Sequence, residues 1–273
     1  MITIDNIKQL KQTLKEQNGK VGFVPTMGAL HDGHLTLMRE SVANNDHTIV
    51  SIFVNPTQFL VGEDLDKYPR DEEGDRLKCK DVGVDAIFMP TPMMMYSEDE
   101  LSIKAPNIRG FVLEGYNRPT HFDGVLQVVL KLFNLVKPTN GYFGKKDAQQ
   151  LLLIKHMVDR LFLDINIVPM EIVREDDGLA MSSRNVYLSS EQRIEALKIS
   201  KSLFFAKELI DKGEICYNII KQNIVESLNP LDIEYVQIVT TDLKIADKIQ
   251  RGNTIILIAV KIGNTRLIDN IWI

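Results

Sequence analysis

Cysteine and histidine are scarce in this 273-residue chain, with two of the first and five of the second. Cys79 and Cys216 lie far apart and share no ligand spacing, which fits free thiols in a reducing cytoplasm. Positive charge is in deficit: 32 Lys and Arg stand against 37 Asp and Glu, for a formal net charge of −5. No basic stripe with interleaved aromatics occurs, so a nucleic-acid-binding surface is not expected. Long apolar runs are missing too. The opening Met1-Ile2-Thr3-Ile4-Asp5 has no apolar h-region of a signal peptide, and no stretch approaches the length of a membrane span. Internal repeats and low-complexity segments are absent. The expected protein is soluble, cytoplasmic and off the membrane. Its composition, 44% hydrophobic and 25% charged, is ordinary for a globular protein. The length allows a sizeable core in one large or two modest domains.

What is present is an alternation. Apolar residues Ile7, Leu10 and Leu14 predict an amphipathic helix over residues 5–17. Val21–Val24, Thr48–Val54 and Asp85–Met89 read as buried strands, with helices over residues 33–44 and 70–82 between them. Residues 91–120 are irregular, and the run Met93-Met94-Met95 reads as a packed or mobile loop. Gly124–Val136 predicts a buried helix stopped by Pro138. A short strand ends at Tyr142-Phe143, a helix carries Leu151–Leu161, and Ile165–Val168 is another strand. The expected fold is α/β, a Rossmann-like, mostly parallel sheet. Beyond Ser189 two helices precede three strands, the pattern of a smaller C-terminal α+β domain. Domains are expected at 1–173 and 174–273, with a hinge over residues 173–187.

The most informative stretch is Pro25-Thr26-Met27-Gly28-Ala29-Leu30-His31-Asp32-Gly33-His34. It joins a buried strand to a helix, where free backbone N–H groups and the positive end of the helix dipole suit phosphate. Two imidazoles three residues apart project from one face, and Gly33 lets a phosphate chain approach. Asp32 is a candidate cap. Two readings compete: zinc, for which no third ligand lies nearby with zinc spacing, and a polar helix start with no chemistry. Asn55 and Gln58 follow the next strand on the same sheet edge, where amides suit a small polar substrate with hydroxyls and a carboxylate. Standing alone, Asn-Pro reads equally as a turn. Gly144-Lys145-Lys146-Asp147 is a phosphate-friendly turn without the Walker pattern, and reads equally as a solvated helix start. Met181-Ser182-Ser183-Arg184 offers hydroxyls and a guanidinium fork for phosphate, and standing alone reads as a solvated turn.

The histidine motif paired with a distant Ser-Ser-Arg loop resembles the nucleotidylyl-transferase superfamily. The resemblance sharpens when further segments are added. They are Phe53–Phe59, Tyr68-Pro69-Arg70, Lys131-Leu132-Phe133-Asn134, Phe143–Gln150, Asp177–Asn185 and Arg266-Leu267-Ile268-Asp269-Asn270. Together they span nearly the whole chain and resemble the pantoate–β-alanine ligase family. That resemblance implies ATP-dependent condensation of pantoate with β-alanine through pantoyl adenylate, with Mg2+ accompanying ATP. It implies that Pro25–His34, Gly144, Lys145, Lys146, Asp147, Val173 and Met181–Arg184 meet the nucleotide. His34, His31, Lys146, Ser182, Ser183 and Arg184 would serve the chemistry, with His34 also able to pass a proton to pyrophosphate. Gln58, Gln150, Asn55 and Arg118 would meet the substrate, His121 would lie near it, and the assembly would be a homodimer. Three departures stand out: Lys145 where the family usually has Glu, Asp123 where a basic residue is common, and Gly74 in place of an acidic residue ahead of Asp75. No protein ligand for a metal is carried over. Two rival readings are a nucleotidylyltransferase that keeps the nucleotide on its product, and a non-catalytic nucleotide- or tRNA-binding relative.

Overall fold

The β-branched apolar runs form strands in the computed structural model, which describes residues 1–273. In chain order the first elements are β1 (Ile2–Ile4), α1 (Ile7–Glu16), β2 (Val21–Thr26), α2 (Asp32–Asn44) and β3 (His47–Ile52). They are followed by α3 (Glu72–Val82), β4 (Ala86–Phe88), α4 (Pro92–Met95), α5 (Glu114–Asn117) and α6 (His121–Val136). Then come β5 (Asn140–Gly144), α7 (Ala148–Arg160) and β6 (Asn166–Met170). Six strands form one parallel sheet in the order β1-β4-β3-β2-β5-β6. Strands covered on both faces need apolar residues at successive positions, and Phe23, Val24, Ile49, Val50, Ile87 and Phe88 are all fully buried. Neighbours on a strand point to opposite faces. Val24, Val50 and Ile87 meet Met38 of α2 and Cys79 of α3. Phe23 meets Phe133 of α6 edge-on, with ring centroids 6.3 Å apart.

Some expectations shift. β1 is a three-residue edge strand that no pattern announces. Helix α1 starts at Ile7 because the Asn6 side chain accepts from the Gln9 N–H at 2.8 Å. Helix α6 starts at His121, three residues ahead of Gly124. The methionine run forms the short α4, in which Met95 is buried and Met93 exposed.

The chain packs as two compact units, residues 1–145 with 153–171 and residues 146–152 with 172–273. In the second unit, α8 (Ser190–Asp211) and α9 (Tyr217–Leu228) precede the antiparallel sheet β7 (Asp232–Thr240), β8 (Thr254–Ile262) and β9 (Thr265–Trp272). Helix α8 opens with a reciprocal cap: Ser189 Oγ accepts from the Gln192 N–H, and Gln192 Oε1 accepts from the Ser189 N–H. Ala196, Ile199, Leu203, Ala206 and Ile210 form its buried stripe at spacings of three and four. They pack with Ile220, Ile224 and Leu228 of α9 and with the alternating Ile256, Ile258, Val260 and Ile262 of β8.

Candidate functional site

Parallel strands deliver their following loops to one sheet edge. Here β2 is flanked by β3 and β5, so the loops after Thr26, Ile52 and Gly144 leave from adjacent strands at the carboxyl edge. The loop after β2 is held from below. Thr26 Oγ1 donates to the Ser51 carbonyl at 2.8 Å, and the Gly28 N–H donates back to Thr26 Oγ1 at 3.3 Å. Gly28 turns with φ +81°, where a Cβ would meet Asp75 Oδ2 at 3.0 Å. The two Asp75 oxygens accept from the Ala29 and Leu30 N–H groups at 2.9 and 2.7 Å, and Lys78 Nζ donates to the Leu30 carbonyl at 2.8 Å. Burial pushes the Asp75 carboxyl above its ordinary value, against the pull of those N–H groups and Lys78. The motifs of the sequence do not single this residue out from its charged helix. Its one signal is position: Asp75 sits four residues before buried Cys79, on the inward face of α3.

The cap position of α2 falls on His31, with Asp32 in the first turn, where its charge favours the helix dipole. This corrects the expectation of Asp32 as cap. The two imidazole centroids are 4.1 Å apart. His34 Nδ1 accepts the His31 backbone N–H at 3.3 Å. An accepting nitrogen carries no proton, so the neutral His34 ring holds its proton on Nε2.

After β3, Pro56–Gln58 forms a single 3-10 turn. Asn55 is buried; its Nδ2 donates to Gln58 Oε1 at 3.1 Å and to the Gly124 carbonyl at 3.2 Å. Gly124 is the closest point between α6 and this turn. A Cβ there would stand 2.4 Å from the Thr57 carbonyl oxygen and 2.8 Å from the Gln58 nitrogen, so only glycine fits. Arg118 spends its fork inside the protein, donating from Nε and Nη2 to the two Glu63 oxygens at 2.6 and 2.7 Å. Burial would raise the Glu63 carboxyl, but Arg118, with the Leu60 N–H and His121, holds it below its ordinary value. His121 Nδ1 lies 2.7 Å from the Gln58 carbonyl, and its Nε2 lies 3.1 Å from Arg118 Nη1. A carbonyl only accepts and a guanidinium only donates, so the ring is neutral with its proton on Nδ1. Burial, with the Arg118 charge, pushes the His121 pKa down to about 4. Arg118 and His121 therefore grip the Gln58 backbone.

Two of the three departures, Lys145 and Asp123, are accommodated locally. Lys145 pairs with Glu171, so its extra charge is met within the protein. Asp123 accepts from the Ala105 N–H at 2.7 Å and from Lys104 Nζ at 3.1 Å.

In the second unit, Lys146 lies in a 3-10 turn, Lys145–Asp147, its Nζ 3.6 Å from Asp147. The Lys146 carbonyl accepts from Asn270 Nδ2 at 2.7 Å, which gives the Arg266–Asn270 motif a structural task. Gln150 follows on the first turns of α7 and is partly exposed. Residues 173–181 form a tight hairpin in which the Met181 N–H donates to the Val173 carbonyl at 3.0 Å. These two expected nucleotide contacts are thus paired. Ser182 Oγ accepts from the Arg184 N–H at 3.3 Å, capping the 3-10 turn Ser183–Tyr187. Buried Asn185 ties that turn back to Glu175 at 2.6 Å and to the Ala180 carbonyl at 3.1 Å. Arg193 bridges Glu175 at 2.5 Å and Asp177 at 2.8 Å, while Arg174 pairs with Asp269 at 2.7 Å. No group of three or more His, Cys, Asp or Glu is arranged to hold a metal ion. No helix is long and apolar enough to cross a membrane.

A parallel sheet whose carboxyl edge carries the histidine turn, with a small antiparallel α+β unit in the same chain, is an α/β architecture of the Rossmann-like class. The family model described as pantoate-beta-alanine ligase matches residues 1–272, and the chain belongs to that family of ligases. It is 56% identical over 273 residues to the pantothenate synthetase of Aliarcobacter butzleri (strain RM4018), covering 100% of both chains. The crystal structure of pantothenate synthetase from Thermus thermophilus matches with a TM-score of 0.95 and 39% identity over 99% of each chain. The pantoate-beta-alanine ligase of Francisella tularensis, in complex with beta-gamma ATP and beta-alanine, matches with a TM-score of 0.82 and 36% identity. That match covers 100% of this chain and 97% of the other.

Proposed function

We propose that the chain condenses pantoate with β-alanine at the expense of ATP, through pantoyl adenylate, giving pantothenate, AMP and pyrophosphate. Family membership over residues 1–272 carries this reading, and the His31–His34 turn supports adenylate chemistry in particular. A pantoate carboxylate oxygen attacks the α-phosphorus of ATP, and the bond from that phosphorus to the bridging oxygen breaks, releasing pyrophosphate. The β-alanine amine then attacks the acyl carbon, loses a proton, and AMP departs.

Negative charge on the phosphates grows in the first step. Fixed donors stabilise such charge without reorganising. The Nε2–H of His34 is that donor, with His31 beside it. Lys146, Ser182, Ser183 and Arg184 supply further cations and hydroxyls. Pro25–His34, Gly144–Asp147, Val173 and Met181 line the nucleotide. Gln58 and Gln150 meet pantoate, and Asn55, Arg118 and His121 act on it through Gln58. Magnesium accompanies the nucleotide co-substrate in this reading, where it offsets phosphate charge, and no residue is assigned to it. The protein works in this reading as a cytoplasmic homodimer.

The test is one incubation with ATP, magnesium, pantoate and β-alanine. AMP and pantothenate are expected in equal amounts. Pyrophosphate without AMP points to a nucleotidylyltransferase, and nucleotide left intact points to a binding protein.

A further inference from the structure

We infer that Tyr96 is a positioning residue that, together with the Gly124 carbonyl, holds the Asn55 amide and through it the polarity of the Gln58 amide, so that the chain offers pantoate an N–H donor rather than an acceptor. The inference rests on the reading of Gln58 as a pantoate contact. An amide side chain looks alike from both ends, so its orientation has to follow from partners whose roles are fixed. The fixed partner here is the Gly124 carbonyl, which can only accept. Asn55 Nδ2, 3.2 Å away, therefore faces it. Asn55 Oδ1 must then face the other way, where it accepts from the Tyr96 hydroxyl at 2.6 Å and from Thr57 Oγ1 at 3.0 Å. The second proton of Nδ2 goes to Gln58 Oε1 at 3.1 Å. Turning the Gln58 amide over would set two NH2 groups against each other.

Gln58 Nε2 thus ends on the far side of its amide, 3.2 Å from Met27 Sδ. A thioether is a weak acceptor, and a carboxylate or hydroxyl oxygen of the substrate exchanges with it readily. A ligand presenting an N–H at that place meets donor against donor. Such a clash costs as an unpaired buried polar group does.

Tyr96 is itself well held. Lys131 Nζ stands 4.8 Å from its ring centroid, pairs with Glu100 at 2.7 Å and donates to the Met95 carbonyl. This gives the Lys131–Asn134 motif a task outside the nucleotide and substrate contacts. Burial also raises the Tyr96 phenol above its ordinary value, so the hydroxyl keeps its proton and remains a donor.

The experiment is a double-mutant cycle read in the steady-state KM for pantoate, with the KM for ATP as the internal reference. Tyr96→Phe keeps the ring and removes the hydroxyl. It is expected to raise the pantoate KM about three- to tenfold, with the ATP KM unchanged. Gln58→Ala alone is expected to raise it about tenfold or more. In the Gln58→Ala background Tyr96→Phe should add almost nothing, because its target is gone. Thr57→Val runs the same cycle with a smaller effect, and carries the test should Tyr96→Phe fold poorly. An equal shift in both backgrounds, or none in the wild type, overturns the relay and leaves Gln58 as a contact. If Gln58→Ala itself leaves the pantoate KM unchanged, the underlying reading of Gln58 falls, and the relay with it.

Discussion

The loop that carries His31 and His34 and the loop that carries Met181–Arg184 are held by opposite means. Under the first lies a buried carboxylate, Asp75, whose two oxygens take two backbone N–H groups. Beside the second lies a partly exposed guanidinium, Arg193, shared between Glu175 and Asp177 on the hairpin that leads into it. A buried carboxylate on backbone donors is unscreened and has no cheap alternative partner. Ion pairs that are a third exposed are screened by salt and exchange with water at little cost. The histidine loop therefore sits on a stiff mount, while the second loop combines an adjustable Arg193 bridge with the tie made by buried Asn185.

The sharpest way to break the contrast is Asp75→Ala. It removes the acceptor of the buried Leu30 N–H and of the partly buried Ala29 N–H, so a loss of about 1–3 kcal/mol or more in urea unfolding is expected. A loss under about 1 kcal/mol removes Asp75 as the mount. His34→Ala probes what the stiff loop carries. Pantoyl-adenylate formation should slow about a hundred- to a thousandfold, roughly 2.7–4 kcal/mol, while a supplied adenylate still reacts with β-alanine. Rapid-quench measurement of the two half-reactions separates them, and equal losses in both would give His34 a wider role.

A third probe uses pH, on the clamp beneath Gln58. His121 refuses a proton in the folded protein until about pH 4, whereas the unfolded chain takes one near 6.5. Its contribution to stability is therefore complete above pH 6.5 and drains away as pH falls toward 4. The loss is of order 3 kcal/mol. Arg118, Glu63 and Glu114 all face this ring, and His121→Asn should flatten the unfolding free energy across that window. A slope unchanged by the substitution assigns the loss to the carboxylates instead. The smallest effect is expected at Arg193→Met, about 0–1 kcal/mol, shrinking further in 1 M salt. A salt-independent loss above about 2 kcal/mol would make the second loop as stiff as the first.

The central strands are plain in the sequence, because Thr48–Val54 and Val21–Val24 are runs that only a doubly covered sheet uses. The motif residues are plain too, since packing alone seldom calls for histidines, glycines and hydroxyls clustered at a strand end. The supports are harder to see. Asp75 lies in a helix whose neighbours Glu72, Glu73 and Arg76 are exposed, and one inward carboxylate among them leaves little trace in a pattern. Gly124 reads as the start of a helix, yet its place is within the first turns of α6, against the Thr57 carbonyl. Arg118 is expected near the substrate only through the family resemblance. The carboxylate it meets is Glu63, 55 residues away in the chain. Pairings at that separation come from the fold and not from spacing.

Residues 146–152 belong with the second unit although the chain returns to the first before reaching Ile172. The Asn270 side chain, almost at the end of the chain, finds its acceptor on Lys146. The second unit is consequently not a tail that can be cut off or exchanged at one joint. A chimera that takes only residues 172–273 from a relative leaves residues 146–152 of the same unit from the other parent. Inheritance of that unit has to pass through two separate stretches of the gene.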